Sequence, residues 1–367
     1  MIKMKIVFLR IGSFSGINKS LLKELNKYYE VIDINVHDAI DPRKFKIKSI
    51  YNFLINFFNT FFIYGKDWKL YYTTTPFAFK AMTKYAENKL KEIDYDLILQ
   101  TQTLFAPSFA KLDKPFYIYL DYTHKCSKEI YKNFTENRNK KHYEKWVSLE
   151  QDLLEKATKI FTYNETIKKC LVKEHKIDSK KIKVAGVGVH FDDLPNIKKD
   201  YDKDLMLAVT NPGSFRLQGI QVAIDAFKIL KEKIKNLKLI IVGYVFNEKF
   251  PDIEEYSFME HSKLIDYYDK SLLFLIPGIM GGVQAVLEAM SRKCICIVGE
   301  DNVILHEIVQ DEKTGFIIKT NNANDLVKKI QYVISLDSNK IKKISENSYE
   351  HIKKNYTWEM VVKKIFS

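Results

Sequence analysis

A chain of 367 residues is longer than one ordinary domain and suits two, each able to bury its own core. Hydrophobic residues make up 46% and charged residues 29%, which excludes a disordered chain. The net charge of +13 is uneven: residues 1–200 hold 36 Lys and Arg against 24 Asp and Glu (+12), residues 201–367 hold 23 against 22 (+1). Aromatic residues divide the same way, 32 against 17. A basic, aromatic-rich half suits an anionic surface, and a neutral half does not, unless the lysines reflect composition bias alone.

The start, MIKMKIVFLR, passes straight into a strand pattern with no secretory leader, and a cytoplasmic location is expected. Lys5–Arg10 is a continuous apolar run, hence a buried parallel strand, followed by the loop IGSFSG (11–16). Residues 18–28 then read as a helix and 29–36 as a strand. Further strands fall at 97–100, 116–120 and 159–163, and helices at 80–92, 142–157 and 165–175. The aromatic stretch 51–73 interleaves Lys66, Trp68 and Lys69, and suits a membrane interface, stacking on nucleic-acid bases, or a helix in the core. Residues 191–204 read as a linker between domains at 1–190 and 205–350. The second series runs strand 205–209, helix 219–233, strand 237–242, helix 262–269, strand 272–276, helix 283–291 and strand 294–298. Amphipathic helices follow at 324–335 and 339–355, then a final helical segment at 351–367. Repeated βα units predict an α/β fold with parallel sheets and ligands beyond the carboxyl ends of the strands.

No stretch predicts a membrane-spanning helix, because 51–64 is broken by Asn and 271–290 by Pro277, Gly278, Gly281 and Gly282. Four cysteines fit no disulfide framework in a chain this size. Cys294 and Cys296, in CICIV, share one strand face as a reduced core, and with no CxxC they form no metal clip. The pairs Asp94/Asp96 and Asp202/Asp204 fall at strand entrances, the wrong end for a metal site, and read as solvated caps.

Two segments carry the chemistry. In 272–300 a buried strand ends at Pro277, glycines 281 and 282 follow, and a helix opens at Val283 with Glu288 on its second turn. Such a turn is an anion site, and Glu288 can accept hydrogen bonds from sugar hydroxyls. In NPGSFRLQG (211–219) Arg216 stands just before a helix start, where its fork matches phosphate oxygens.

Together with LKLIIVG (237–243), MGGVQAVLE (280–288) and KTGFII (313–318), these segments resemble the group 1, or family 4, glycosyltransferases. The order and spacing match over roughly 205–335. In residues 1–190 the likeness rests on GSFSG (12–16), YLDYTH (119–124) and VAGVGVHF (184–191). The resemblance implies a GT-B-like pair of facing Rossmann-like domains, with the last helix crossing back to the first. It implies that Arg216 binds the donor diphosphate and Glu288 the ribose, and that Gln218, Gly281, Gly282, Val283, Gly12 and Gly16 line the donor. His124 would reach the donor sugar from the first domain, so that His124 and Arg216 form the catalytic pair. The family's Glu–seven residues–Glu motif is degenerate here, with Met280 in place of the first Glu and Gln218 in place of a lysine. The implied reaction moves a sugar from a nucleotide-sugar to a hydroxyl of a lipid-linked or cell-surface saccharide, retaining its configuration. It needs no metal and no cofactor, the nucleotide-sugar being the donor substrate. An epimerase of the same fold, a nucleic-acid-binding protein and a non-catalytic scaffold are the rival readings. Nucleic acid is disfavoured.

Overall fold

The computed structural model describes residues 3–44, 46–130, 139–191, 194, 197–199, 201–210, 215–246 and 249–367. The chain divides into two compact units, Met1–Gly188 with Trp358–Ser367, and Val189–Thr357.

In the first unit six parallel strands form one sheet: β1 (Lys5–Arg10), β2 (Glu30–Asn35), β3 (Leu97–Thr101), β4 (Phe116–Leu120), β5 (Lys159–Thr162) and β6 (Ile182–Val184), in the order β2-β1-β3-β4-β5-β6. Central strands such as LILQT are buried throughout, which is why they read as unbroken runs rather than alternating ones. Helices cover the sheet. Pro76–Leu90 begins with Thr75 accepting the Ala78 N–H, and Pro76 fills the first helical turn, where a missing N–H costs nothing. Its Phe79 and Met82 join Leu9, Ile98, Ile118 and Trp146 in the core. Helix Trp358–Phe366 belongs to this unit, Phe366 lying 4.5 Å from the Tyr29 ring.

The second unit repeats the plan: β7 (Asp202–Val209), β8 (Lys238–Val242), β9 (Ile253–Tyr256), β10 (Ser271–Ile276), β11 (Ile295–Gly299) and β12 (Gly315–Ile318), all parallel, in the order β12-β11-β10-β7-β8-β9. β7 begins at Asp202, so the last three residues of the expected linker are strand.

One expectation is corrected. Cys126 and Cys170 form a disulfide, with Cα atoms 5.8 Å apart. They are 44 residues apart in sequence, but the helices carrying them follow the adjacent strands β4 and β5. Cys294 and Cys296 are buried free thiols. Asp96 is exposed, and its carboxylate accepts the Lys5 backbone N–H at 2.7 Å, capping the start of β1 beside that of β3.

Candidate active site

Open parallel sheets bind ligands beyond the carboxyl ends of strands where the strand order reverses. In the second unit that point lies between β7 and β10, with β8 and β9 on one side and β11 and β12 on the other. The segments leaving these two strands are the two singled out from sequence, although 211–214 lie outside the described residues.

The segments lock together backbone to backbone. The Gly278 N–H donates to the Gln218 carbonyl at 3.1 Å, and the Met280 N–H to that of Leu217 at 3.2 Å. A Cβ on Gly278 would stand 2.0 Å from the Leu217 carbonyl oxygen, so only glycine fits. Gly219 and Gly282, with φ of 74° and 78°, begin helices Ile220–Lys231 and Val283–Ser291, and neither helix has a side-chain cap. Two positive helix ends therefore open at the switch point. Asn302 donates to the Gly281 carbonyl at 3.1 Å and holds that loop from beyond β11.

Gln218 is buried against Gly281, and among the described residues its Oε1 has no hydrogen-bond partner. Arg216 is exposed, its guanidinium 5.6 Å from the Phe215 ring centre. Phe215 stacks on Tyr244 at 4.0 Å, and Phe246 meets Tyr244 edge-on at 4.8 Å. This aromatic patch, just past β8, was not marked from sequence.

Glu288 lies on the second turn of its helix, only 6% exposed, and its Oε1 is 3.2 Å from His261 Nε2. The hydrogen bond to Glu288 raises the His261 pKa above the usual histidine value, against the opposing effect of burial. The His261 ring also lies parallel to Phe191 at 5.7 Å. His261 starts helix His261–Lys270, 27 residues from its partner, and no local motif announces it.

In the first unit the strand order reverses between β1 and β3. The loop leaving β1 holds four left-handed residues, Gly12, Phe14, Ser15 and Gly16, with φ of 55°, 47°, 51° and 83°. A phenylalanine in that region is strained, and such strain clusters at binding loops. The Gly12 N–H donates to Asn35 Oδ1 at 2.9 Å, and Gly16 begins helix Ile17–Tyr28.

His124 opens helix His124–Ile130 beyond β4. Its backbone N–H and its Nδ1 both meet the Glu150 carboxylate, at 3.1 and 3.2 Å, and Thr103 donates to the same carboxylate at 2.5 Å. Burial opposes the charge on Glu150, but His124 and these hydrogen bonds outweigh it and hold the pKa below the usual value. With Nδ1 engaged, Nε2 is the nitrogen left for a ligand. Asp121, directly after β4, was also missed. Burial, reinforced by the charge of Glu150, overrides two backbone hydrogen bonds and pushes its pKa up to about 7.

Two six-stranded parallel sheets with covering helices, and paired glycine loops at a switch point, define an α/β fold of GT-B-like architecture. Residues 195–351 match the family "Glycosyl transferases group 1". The chain is similar to the capsular polysaccharide biosynthesis glycosyltransferase CapM of Staphylococcus aureus, 23% identical over 233 residues, which cover 58% of this chain and 61% of that relative. Among solved structures, the sucrose-phosphate synthase of Thermosynechococcus elongatus superposes with a TM-score of 0.70 at 14% identity, covering 99% of this chain and 98% of that one. Anabaena HepE, solved with UDP, gives 0.63 at 13% identity, with 99% and 98% covered. Among the described residues, no helix is long and apolar enough to cross a membrane, and no three His, Cys, Asp or Glu side chains group as metal ligands.

Proposed function

We propose that this protein transfers a sugar from a nucleotide-sugar to a hydroxyl of a lipid-linked or cell-surface saccharide. The observation that carries the reading is the pair of glycine loops locked across the switch point of the second unit, with Arg216 on one and Glu288 behind the other. Two uncapped helix ends and a guanidinium suit a diphosphate, and a buried carboxylate suits the ribose hydroxyls. Gln218 takes the place of a lysine, so its amide supplies a hydrogen bond without charge, and Arg216 carries the compensation for the leaving diphosphate. That charge comes from side chain and backbone dipoles, and the reaction is therefore proposed to be metal-independent. The Phe215–Tyr244–Phe246 patch supplies a stacking face for the base.

In the first unit His124 is oriented by Glu150 through Nδ1, which leaves Nε2 for the donor sugar, and Gly12 and Gly16 are proposed to line the donor. The configuration at the transferred carbon is proposed to be retained. The likeness to a protein solved with UDP and to a capsule-building enzyme supports a uridine-type donor and a saccharide acceptor. The protein is placed in the cytoplasm, where nucleotide-sugars are at hand. Incubation with a panel of labelled nucleotide-sugars and lipid extracts tests the reaction, the product anomer being read by NMR with and without chelator. Donor isomerised with no acceptor present would identify an epimerase instead.

A further inference from the structure

Helix Ile47–Tyr64 is built inside out. Ile47, Tyr51, Leu54, Phe58 and Phe62 recur at intervals of three and four, which places them on one face. In a helix packed normally on its domain that stripe would be buried, yet here it is turned to solvent, Ile47 being 89% and Phe62 81% exposed. The opposite face, against the domain, is polar. Ser49 donates to the Asp38 carbonyl at 2.7 Å, Asn52 to that of Ala39 at 3.0 Å and Asn56 to that of Tyr72 at 2.7 Å, while Thr75 donates to Asn56 Oδ1 at 2.6 Å. The helix is thus fixed to the first unit by hydrogen bonds and by its flanks, where Phe57 meets Trp68 at 4.8 Å and Phe53 meets Tyr72 at 5.6 Å. Its apolar face is free of those duties, and a contiguous exposed apolar face marks an interaction surface.

Charge decides the partner. Residues 42–66 contain no Asp or Glu, and exposed lysines stand at both ends of the stripe, Lys46 and Lys48 at its start and Lys66 and Lys69 after it, with Asp67 the one carboxylate among them. A second copy pairing through this face would bring like charges together at both ends. An anionic bilayer instead receives the aromatic and aliphatic side chains at headgroup depth and the lysines on its phosphates.

We propose that helix Ile47–Tyr64 lies flat in the surface of an anionic phospholipid bilayer, seating the first unit where a lipid-held acceptor would be presented. The purpose assigned to this docking rests on the acceptor reading above. The docking itself is measured with neither donor nor acceptor, so a failure to transfer sugar leaves it standing.

The test is sedimentation of the full chain with vesicles of phosphatidylcholine alone, or of phosphatidylcholine with about a third phosphatidylglycerol. The expected result is pelleting with the anionic vesicles only, weakened by salt and reduced at least tenfold in the double variant Phe58→Ser, Phe62→Ser. Because both side chains are exposed, that variant should melt with the wild type. A Phe62→Trp variant reads insertion directly, its emission shifting to the blue on anionic vesicles. Undiminished pelleting of the serine variant, or a tryptophan that stays in water, would overturn the proposal. So would a dimer of the free protein that the same serine substitutions dissociate, because the face would then belong to a second copy.

Discussion

The sharpest consequence of the site geometry concerns Gly278→Ala. The new Cβ would stand 2.0 Å from the Leu217 carbonyl oxygen, 2.4 Å from the Gln218 carbonyl carbon and 2.5 Å from the Gly219 nitrogen. All three are backbone atoms, and nothing flexible can yield. Non-bonded carbon contacts settle near 3.5–4.0 Å, so the two segments must separate by about 1 Å or more. Separation breaks the Gly278-to-Gln218 and Met280-to-Leu217 hydrogen bonds, each contributing about 1 kcal/mol, and overpacking costs a further ~1–3 kcal/mol. The expected loss is about 3–5 kcal/mol, roughly a 10 °C drop in the melting temperature of a unit this size. Arg216 and Gln218 would move with their segment, and a displacement of about 1 Å is enough for a 100-fold loss of donor turnover. Gly12→Ala is the internal control: nothing lies within 4 Å of its Cβ, and its φ of 55° should cost only about 1 kcal/mol. Urea unfolding of both variants reads the contrast in stability, and nucleotide titration of Gly278→Ala reads the loss of binding. A Gly278→Ala protein with wild-type melting and wild-type nucleotide affinity would refute the interlocked-loop reasoning.

His124→Ala leaves the buried Glu150 carboxylate without its main partner and should destabilise the chain by about 3 kcal/mol, checked by denaturant unfolding. The Glu150 pKa is depressed in the folded state, so this contribution should be full above the ordinary glutamate value and fade as pH falls through the lowered one. His261→Gln should cost about 0.5 kcal/mol or less, since the His261 side chain is half exposed. Its pKa is raised by folding, so the loss should show at pH 6 and vanish once pH exceeds the raised value, as melting curves at pH 6 and 9 will report. For Asp121 the sign is opposite: a folded pKa of about 7 means that ionisation opposes folding above the usual aspartate value. Asp121→Asn should match wild type near pH 4 and gain up to about 4 kcal/mol on it by pH 8, and parallel melting curves would contradict this.

Much of the fold could be read because both sheets are parallel and covered on two faces. Strands such as FYIYL and SLLFLI are then unbroken apolar runs bounded by turns. β9 escaped because it is a short edge strand, IEEY, in which two of four residues are charged. Helix Ile47–Tyr64 could not be placed because periodicity reports a face without saying where that face points, and here it points outward. In the site, Gly281, Gly282 and Glu288 stood out in one contiguous stretch. The glycines that set the spacing between loops, Gly219 and Gly278, owe their role to a contact between segments some 60 residues apart, which no local pattern encodes. His261 and Asp121 were missed for the same reason: burial and a distant carboxylate perturb them, and neither is visible along the chain. The Cys126–Cys170 bond was missed by reasoning from chain size rather than from strand adjacency.

The central claim is that the second unit binds a nucleoside diphosphate through Arg216 and Glu288, and calorimetric titration with UDP, GDP and ADP addresses it directly. The account predicts that one of them binds at a single site with a Kd below about 100 μM, near −5.5 kcal/mol. Arg216→Ala should weaken it by about 1.5–3 kcal/mol, and Glu288→Gln should weaken the nucleotide but hardly inorganic diphosphate. Binding by none of the three at millimolar concentration, or wild-type affinity in both the Arg216 and the Glu288 variant, would contradict it.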